Sequence, residues 1–374
     1  MSGKASQITP VGESPECPEW WDPWSNQPRK IAQADKPQLN RETGLEYAKV
    51  LSTALLRLPR LSTHYLRLAP TVPAPADSFI GLSISPDTRF NAALVEMIGE
   101  LGVRQLLLRV PVWQLERLDE FRDFIQRFPQ CSWLINILQD RNSVVHPERW
   151  QHALSTIFSA LSPLVNWFQI GNAVNRSKWG CHHSGDYLQL LDHTEQLRSS
   201  FPSIKLAGSS VIDFEPLVTL RTLHNHHNYR LDAVAAQLYI NRRGSAYGYQ
   251  YGIFDLYNKL RLIKTIVNSG TRNQPRLWIT ETNWPLLHSK PFTPNSGHPR
   301  STVNEDTQAR YLQQYYRIAW QTGWVERVYW WQLINPGYGL VDHRRGRLRK
   351  MPAYFALKEL SQGGLQTKIP AHAG

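Results

Sequence analysis

Glu281 stands in the run Trp278-Ile279-Thr280-Glu281-Thr282-Asn283-Trp284, a carboxylate at the end of an apolar stretch and between two indoles. Burying a carboxylate there for nothing would be costly, so it is either a nucleophile or one half of an interior ion pair. Other apolar runs end in groups that could serve it. Leu106-Leu107-Leu108-Arg109 ends in a guanidinium, whose opposite charge would keep a neighbouring carboxyl ionised. Gln237-Leu238-Tyr239 ends in a phenol that could donate a hydrogen bond and orient the carboxylate. Gln169-Ile170-Gly171-Asn172-Ala173-Val174-Asn175 ends in amides, and Tyr329-Trp330-Trp331-Gln332 presents an indole that could floor a ring-shaped ligand. The alternative for Glu281 is a salt bridge to Arg109 with no chemistry.

Residues so far apart in sequence need a scaffold that gathers strand ends. From about residue 78, short β-branched and apolar runs alternate with longer amphipathic segments. Strands are expected near 79–85, 104–110, 132–138, 166–171, 204–209, 233–239, 276–281 and 326–333. Helical patterns between them include Asn91–Leu101, Leu115–Phe128, Glu148–Leu161, Tyr187–Ser199, Phe254–Val267 and Asn304–Gln321, with Ala353–Leu360 last. Such alternation means parallel pairing through crossover helices. An open dinucleotide-binding sheet would want a Gly-rich turn after its first strand. Here that strand runs into Gly81-Leu82-Ser83-Ile84-Ser85-Pro86, which has none. The expected fold is therefore α/β, a (β/α)₈ barrel with an N-terminal extension, whose chemistry sits at the carboxyl ends of the strands. The expected organisation is an arm and amphipathic helix over 1–77, the barrel over 78–362 and a tail over 363–374.

The motifs, in this order, resemble those of the clan A retaining glycoside hydrolases. WITETNW looks like the nucleophile segment, QIGNAVN like the G-N-E-P-N segment of the fourth strand, and LRVPVW like the Arg-bearing strand. Tyr239 and Trp331 also fit their strand ends, and the resemblance covers about residues 78–362. It implies a saccharide substrate, Glu281 as nucleophile and Asn172 on the sugar 2-hydroxyl. Arg109, Tyr239, Trp331, Trp179 and Trp284 would line the site. A retaining enzyme needs a second carboxyl about 5–5.5 Å from the first, as acid and then base.

That second carboxyl is missing. Ala173 occupies its position, and Val174 stands where the family has Pro. Four explanations are open: an engineered substitution, an acid displaced to Asp140, Asp213 or Glu215, a leaving group too acidic to need protonation, or a saccharide-binding pseudoenzyme. Loss of general acid–base help is worth about 10²–10⁴-fold, so an ordinary alkyl glycoside should be a poor substrate.

Composition narrows the partners. Hydrophobic residues at 41% and charged residues at 19% describe a globular chain. The net charge of +12 suits an anionic partner, or merely an Arg-rich surface. Arg176, Lys178 and Trp179 follow the fourth strand, and the segment Asn241–Tyr251 carries Arg242, Arg243, Tyr247, Tyr249 and Tyr251. That mixture fits an acidic oligosaccharide or glycolipid. No nucleic-acid signature is present, and no partner of that kind is expected. Cys17, Cys131 and Cys181 form neither a disulfide framework nor a zinc pattern, and the His182-His183 and His224–His227 groups lack motif spacing, so no metal or cofactor is expected. Residues 1–42 read as a loose arm, apart from Trp20-Trp21-Asp22-Pro23-Trp24, which should cover an exposed edge of the barrel. Residues 43–68 read as a basic amphipathic helix, packed on the barrel or lying on an anionic membrane, that Pro59 should break or kink. With no apolar leader segment, the expected location is cytoplasmic, with membrane association as the variant.

Overall fold

The computed structural model describes residues 17–32, 40–293 and 301–366. Residues 294–300 of the Pro-, Gly- and Ser-rich loop, most of the tail expected over 363–374, and the first part of the arm lie outside them.

Eight parallel strands close into a barrel: β1 (Ile80–Ser83), β2 (Gln105–Pro111), β3 (Ser132–Leu138), β4 (Trp167–Ile170), β5 (Lys205–Ile212), β6 (Ala233–Gln237), β7 (Leu277–Thr282) and β8 (Arg327–Trp330). Pairing of Val328 with Ile80 joins the last strand to the first, which leaves no sheet edge. The Trp cluster of the arm therefore cannot be covering an edge. It packs instead on the mouth of the barrel.

Helices wrap the outside: α1 (Arg41–Arg67), α2 (Asn91–Leu101), α3 (Leu118–Gln126), α4 (Pro147–Leu161), α5 (Ser184–Leu197), α6 (Pro216–Leu223), α7 (Leu256–Ser269), α8 (Glu305–Thr322) and α9 (Pro352–Ser361). Their ends follow local chemistry. The Asp255 side chain accepts from Asn258 N to start α7, and Asn304 does the same with Thr307 N at α8. Gly102 at φ 66° and Gly323 at φ 65° close α2 and α8. The eight-residue α6 is absent from the helices expected above, because so short an apolar segment carries little helical periodicity.

The α1 segment packs against α6 and α7 on the flank of the barrel, and runs through Pro59 without interruption. Proline there leaves the Leu55 carbonyl without its helical donor. Leu55 is on the solvent side, where water can replace that donor.

Inside the barrel the strands stack side chains in layers. Leu107, Leu134, Trp167, Ala207, Ala233, Ala235, Trp278 and Tyr329 form an apolar plug. Two residues further along their strands stand Arg109, Asn136 and Gln169, in register with one another. Side chains two apart share a face, so the polar layer begins one step above the plug.

Candidate active site

The carboxylate of Glu281 ends β7 and is 7% exposed. Tyr239, just past β6, donates its hydroxyl to Glu281 Oε1, and Arg109 from β2 donates Nη2 to Oε2. Gln237 Nε2 adds a third bond to Oε2 at 3.0 Å. Burial, and then the charge of Glu281, push the Tyr239 phenol well above its ordinary value, so it remains a protonated donor. Arg109 has its guanidinium 3.4 Å from the centroid of the Trp331 ring and 5.6 Å from that of Trp179. Burial draws its pKa down, and the charge of Glu281 opposes that shift.

The β4 end is built by backbone conformation. Gly171 has φ 76°, and a Cβ there would lie 2.9 Å from Val174 Cγ1. The chain then turns so that Asn172 Oδ1 accepts from Asn136 Nδ2 at 2.8 Å and from Gln237 Nε2. The Asn172 Nδ2 is buried with no hydrogen-bond partner, a donor left over for a ligand. Gln139 braces the turn, taking Asn172 N at 2.8 Å and donating to Trp179 O at 2.8 Å.

Ala173 is fully buried at φ 46°, with its N–H donated to Gln237 Oε1 at 2.8 Å. Its methyl lies in an apolar cluster with Trp21, Leu138 and Trp179. The arm therefore closes over the position that resembles an acid/base site. Trp21 meets Trp113 and Trp179 edge-on, with ring centroids 5.3 and 5.8 Å apart. A two-stranded ladder, Trp21–Asp22 against Gln27–Pro28, crosses the mouth. Asn26 O accepts from Arg109 Nη1 at 3.1 Å, and Gln27 Oε1 from Lys178 Nζ at 2.5 Å.

Beneath this strap lies a pocket of about 440 Å³ that holds Glu281, Arg109, Tyr239, Trp331 and Trp179. Six cationic side chains (Arg29, Lys30, Arg109, Arg176, Lys178, Arg243) line it against three anionic ones (Asp22, Asp213, Glu281), an excess of three positive charges. Burial draws Lys178 down to about 8, against the pull of Glu281. Arg243 lies 3.3 Å from the Tyr239 ring centroid and leaves Nη1 buried without a partner.

Sequence reasoning thus gathers Arg109, Asn172, Ala173, Trp179, Tyr239, Glu281 and Trp331 at one end of the barrel. It misplaces Trp284, which is buried behind the site, stacked 6.0 Å from Trp330 and bonded through Nε1 to Gly244 O. Trp284 lies beyond the end of β7, where strand alternation no longer sets direction. Trp278 lies in the apolar plug, 4.3 Å from Trp167. Of the displaced-acid candidates, Asp140 caps the helix Arg141–Val145 through Ser143 N at 2.7 Å and does not line the pocket. Glu215 also lies off the pocket and shares Arg176 with Asp213, which does line it. Gln237 was missed as the bridge between Asn172 and Glu281. Its position two residues before Tyr239 was the available signal. Among the described residues no three His, Cys, Asp or Glu side chains converge as a metal site.

No protein-family model matches the chain, and no curated protein matches it. Solved structures do. A family 39 glycoside hydrolase from Bacteroides cellulosilyticus aligns with a TM-score of 0.58 at 14% identity, over 80% of this chain and 66% of that one. A family 51 α-L-arabinofuranosidase from Bifidobacterium longum aligns at 0.51 and 13%, over 78% and 74%. An exo-β-1,4-mannosidase from an Opitutaceae bacterium aligns at 0.54 and 12%, over 80% and 62%. The chain thus spans about two thirds of the length of the first of these. At such identities the likeness is one of fold, and that fold is the (β/α)₈ barrel of glycoside hydrolases.

Proposed function

We propose that this chain is a glycoside-hydrolase-like protein that acts on an anionic saccharide, oligosaccharide or glycolipid, with Glu281 as nucleophile in a retaining sense. The observation that carries this reading is the Glu281 carboxylate held by Arg109, Tyr239 and Gln237 on the floor of a basic pocket. An oxygen of Glu281 attacks the anomeric carbon, the exocyclic bond breaks, and its electron pair leaves with the departing group. With Ala173 sealed in the arm's apolar cluster, the fitting leaving group departs without protonation, as a phosphate does. Lys178 and Arg243 line the pocket as the cations that would receive its charge, since Arg176 is already held by Asp213 and Glu215. The glycosyl group then passes to water or another hydroxyl acceptor, whose proton goes to solvent, and the bond to Glu281 breaks to return the carboxylate. A basic barrel of this kind suits the making or trimming of a cell-surface glycan or glycolipid.

A second reading is a saccharide-binding protein without turnover. The specific observation behind it is the strap itself, which lays Trp21 over Ala173 and Asn26 on Arg109.

The deciding experiment is release of dinitrophenol from a panel of dinitrophenyl glycosides, with and without azide. The leaving group needs no acid, and azide needs no base. Azide-stimulated release that disappears in Glu281→Ala, with folding verified by near-ultraviolet circular dichroism, supports turnover at this carboxylate. Silence across the panel, with saccharide binding retained, supports the second reading.

Either reading gives a pH dependence. Lys178 loses its proton as pH rises through about 8, so affinity for an acidic ligand is expected to fall across that range. Calorimetric titration with a uronate oligosaccharide checks it. The dependence should vanish in Lys178→Met, and its persistence there would assign it to another group.

A further inference from the structure

We infer that the outward face of α1 is a docking surface for an anionic phospholipid bilayer, a role independent of any chemistry at Glu281. The helix spends its barrel-facing side on Thr43, Glu46 and Leu61, all buried, with Ala54 packed on the core. Its other side is unusually apolar. Leu45, Leu51, Leu55, Leu56, Leu58 and Leu66 are 54 to 80% exposed. At 3.6 residues per turn Leu51, Leu55, Leu58 and Leu66 fall on one stripe, with Leu45 and Leu56 beside it. Scattered surface leucines need no explanation, but six along one 27-residue helix form a patch that marks an interaction site.

A hydrogen-bonded link leads from the helix to a neighbouring loop. Asn258 Oδ1 accepts from the Tyr65 hydroxyl at 3.3 Å, and Asn258 Nδ2 donates to Ile253 O at 3.2 Å. Through that one side chain the exposed Ile253, near the exposed Tyr249 and Tyr251 in sequence, is tied to the C-terminal part of α1. Apolar residues with interfacial tyrosines and a cationic border are what the headgroup region of a bilayer accommodates.

Charge selects the occupant. Lys49, Arg60 and Arg67 share one side of the helix, next to Leu45 and Leu56, and exposed Arg41 stands at the start of the helix. Lys49 is tied to Glu46 and Glu42 to His183, whereas Arg60 and Arg67 form no ion pair among the described residues. A second copy would bring the same cationic flank and another net charge of +12 to the contact. An anionic lipid surface would be attracted instead. The helix also lies toward the mouth end of the barrel: Glu46 accepts from Ser184 at the start of α5, and Tyr65 bonds Asn258 in the first turn of α7. Docking through α1 would hold the pocket close to the headgroups.

The test is flotation of the full chain on vesicles of phosphatidylcholine, with and without phosphatidylglycerol. The protein is expected to float with the anionic vesicles and to be released by salt. Leu51→Gln/Leu55→Gln/Leu58→Gln should lower partitioning by roughly ten-fold or more, and Arg60→Glu/Arg67→Glu should remove the preference for phosphatidylglycerol. These side chains are exposed, so the variants should keep the wild-type thermal transition. Equal flotation of wild type and the leucine variant, or none by wild type, would overturn the proposal. So would a dimer by light scattering that the leucine variant dissociates while neither protein floats, which would assign the face to a second copy.

Discussion

Arg109→Ala is expected to cost the protein roughly 3–5 kcal/mol of stability at neutral pH, the range for breaking a buried ion pair from one side. The pair is internal on both ends, with side chains 5% and 10% exposed. Removing the guanidinium leaves Glu281 with neutral donors alone, Tyr239 and Gln237. It also strips the cation from the face of Trp331 and the hydrogen bond that anchors Asn26 of the strap. Chemical denaturation of the purified variant measures the loss. A cost under about 1 kcal/mol would mean that the pair is solvated and behaves as a surface bridge. The companion Arg109→Met/Glu281→Leu should recover most of the stability, because two apolar groups of similar volume leave no orphaned charge. It should also be inert toward activated glycosides. Recovered stability with lost function would separate the structural role of the pair from its chemical one, the distinction left open by an interior salt bridge.

The barrel was legible because its strands are buried on both faces, and such strands read as short apolar runs. The strand ends were legible for a related reason: a polar residue that interrupts a buried run, as Arg109 and Glu281 do, must have a partner. What escaped was set by contacts remote in sequence. Nothing in Trp20-Trp21-Asp22-Pro23-Trp24 states that Trp21 lands on Trp113 and Trp179, or that Trp24 lands on Phe292. The basic amphipathic pattern of 43–68 was visible, but which of its faces meets the barrel was not. That depended on Glu46 finding Ser184 and Arg221, more than a hundred residues away. Gln237 escaped because its role requires three strand ends at once: it joins Ala173 N, Asn172 and Glu281.

Ala173→Glu, which would write back the carboxyl that the sequence resemblance demands, is expected to destabilise the protein by roughly 2–4 kcal/mol and to add no activity. The alanine methyl is fully buried in a cluster with Trp21, Leu138 and Trp179. A glutamate there must either displace Trp21 or bury its charge among indoles. The prediction sharpens when Trp21 is shortened as well. Trp21→Ala alone should lose roughly 3 kcal/mol as a buried indole is removed. Combined with Ala173→Glu it should lose less than the two costs added, because the space vacated by one change receives the other. If the pocket is a glycosidase site that has traded its acid for an apolar cap, the double variant should also gain turnover of unactivated glycosides, by about 10²–10⁴-fold over the background of the parent. Strict additivity of the two stabilities would show that Trp21 and residue 173 do not compete for one space. Coupled stabilities with no gain in turnover would place the loss of chemistry elsewhere than in this one missing carboxyl.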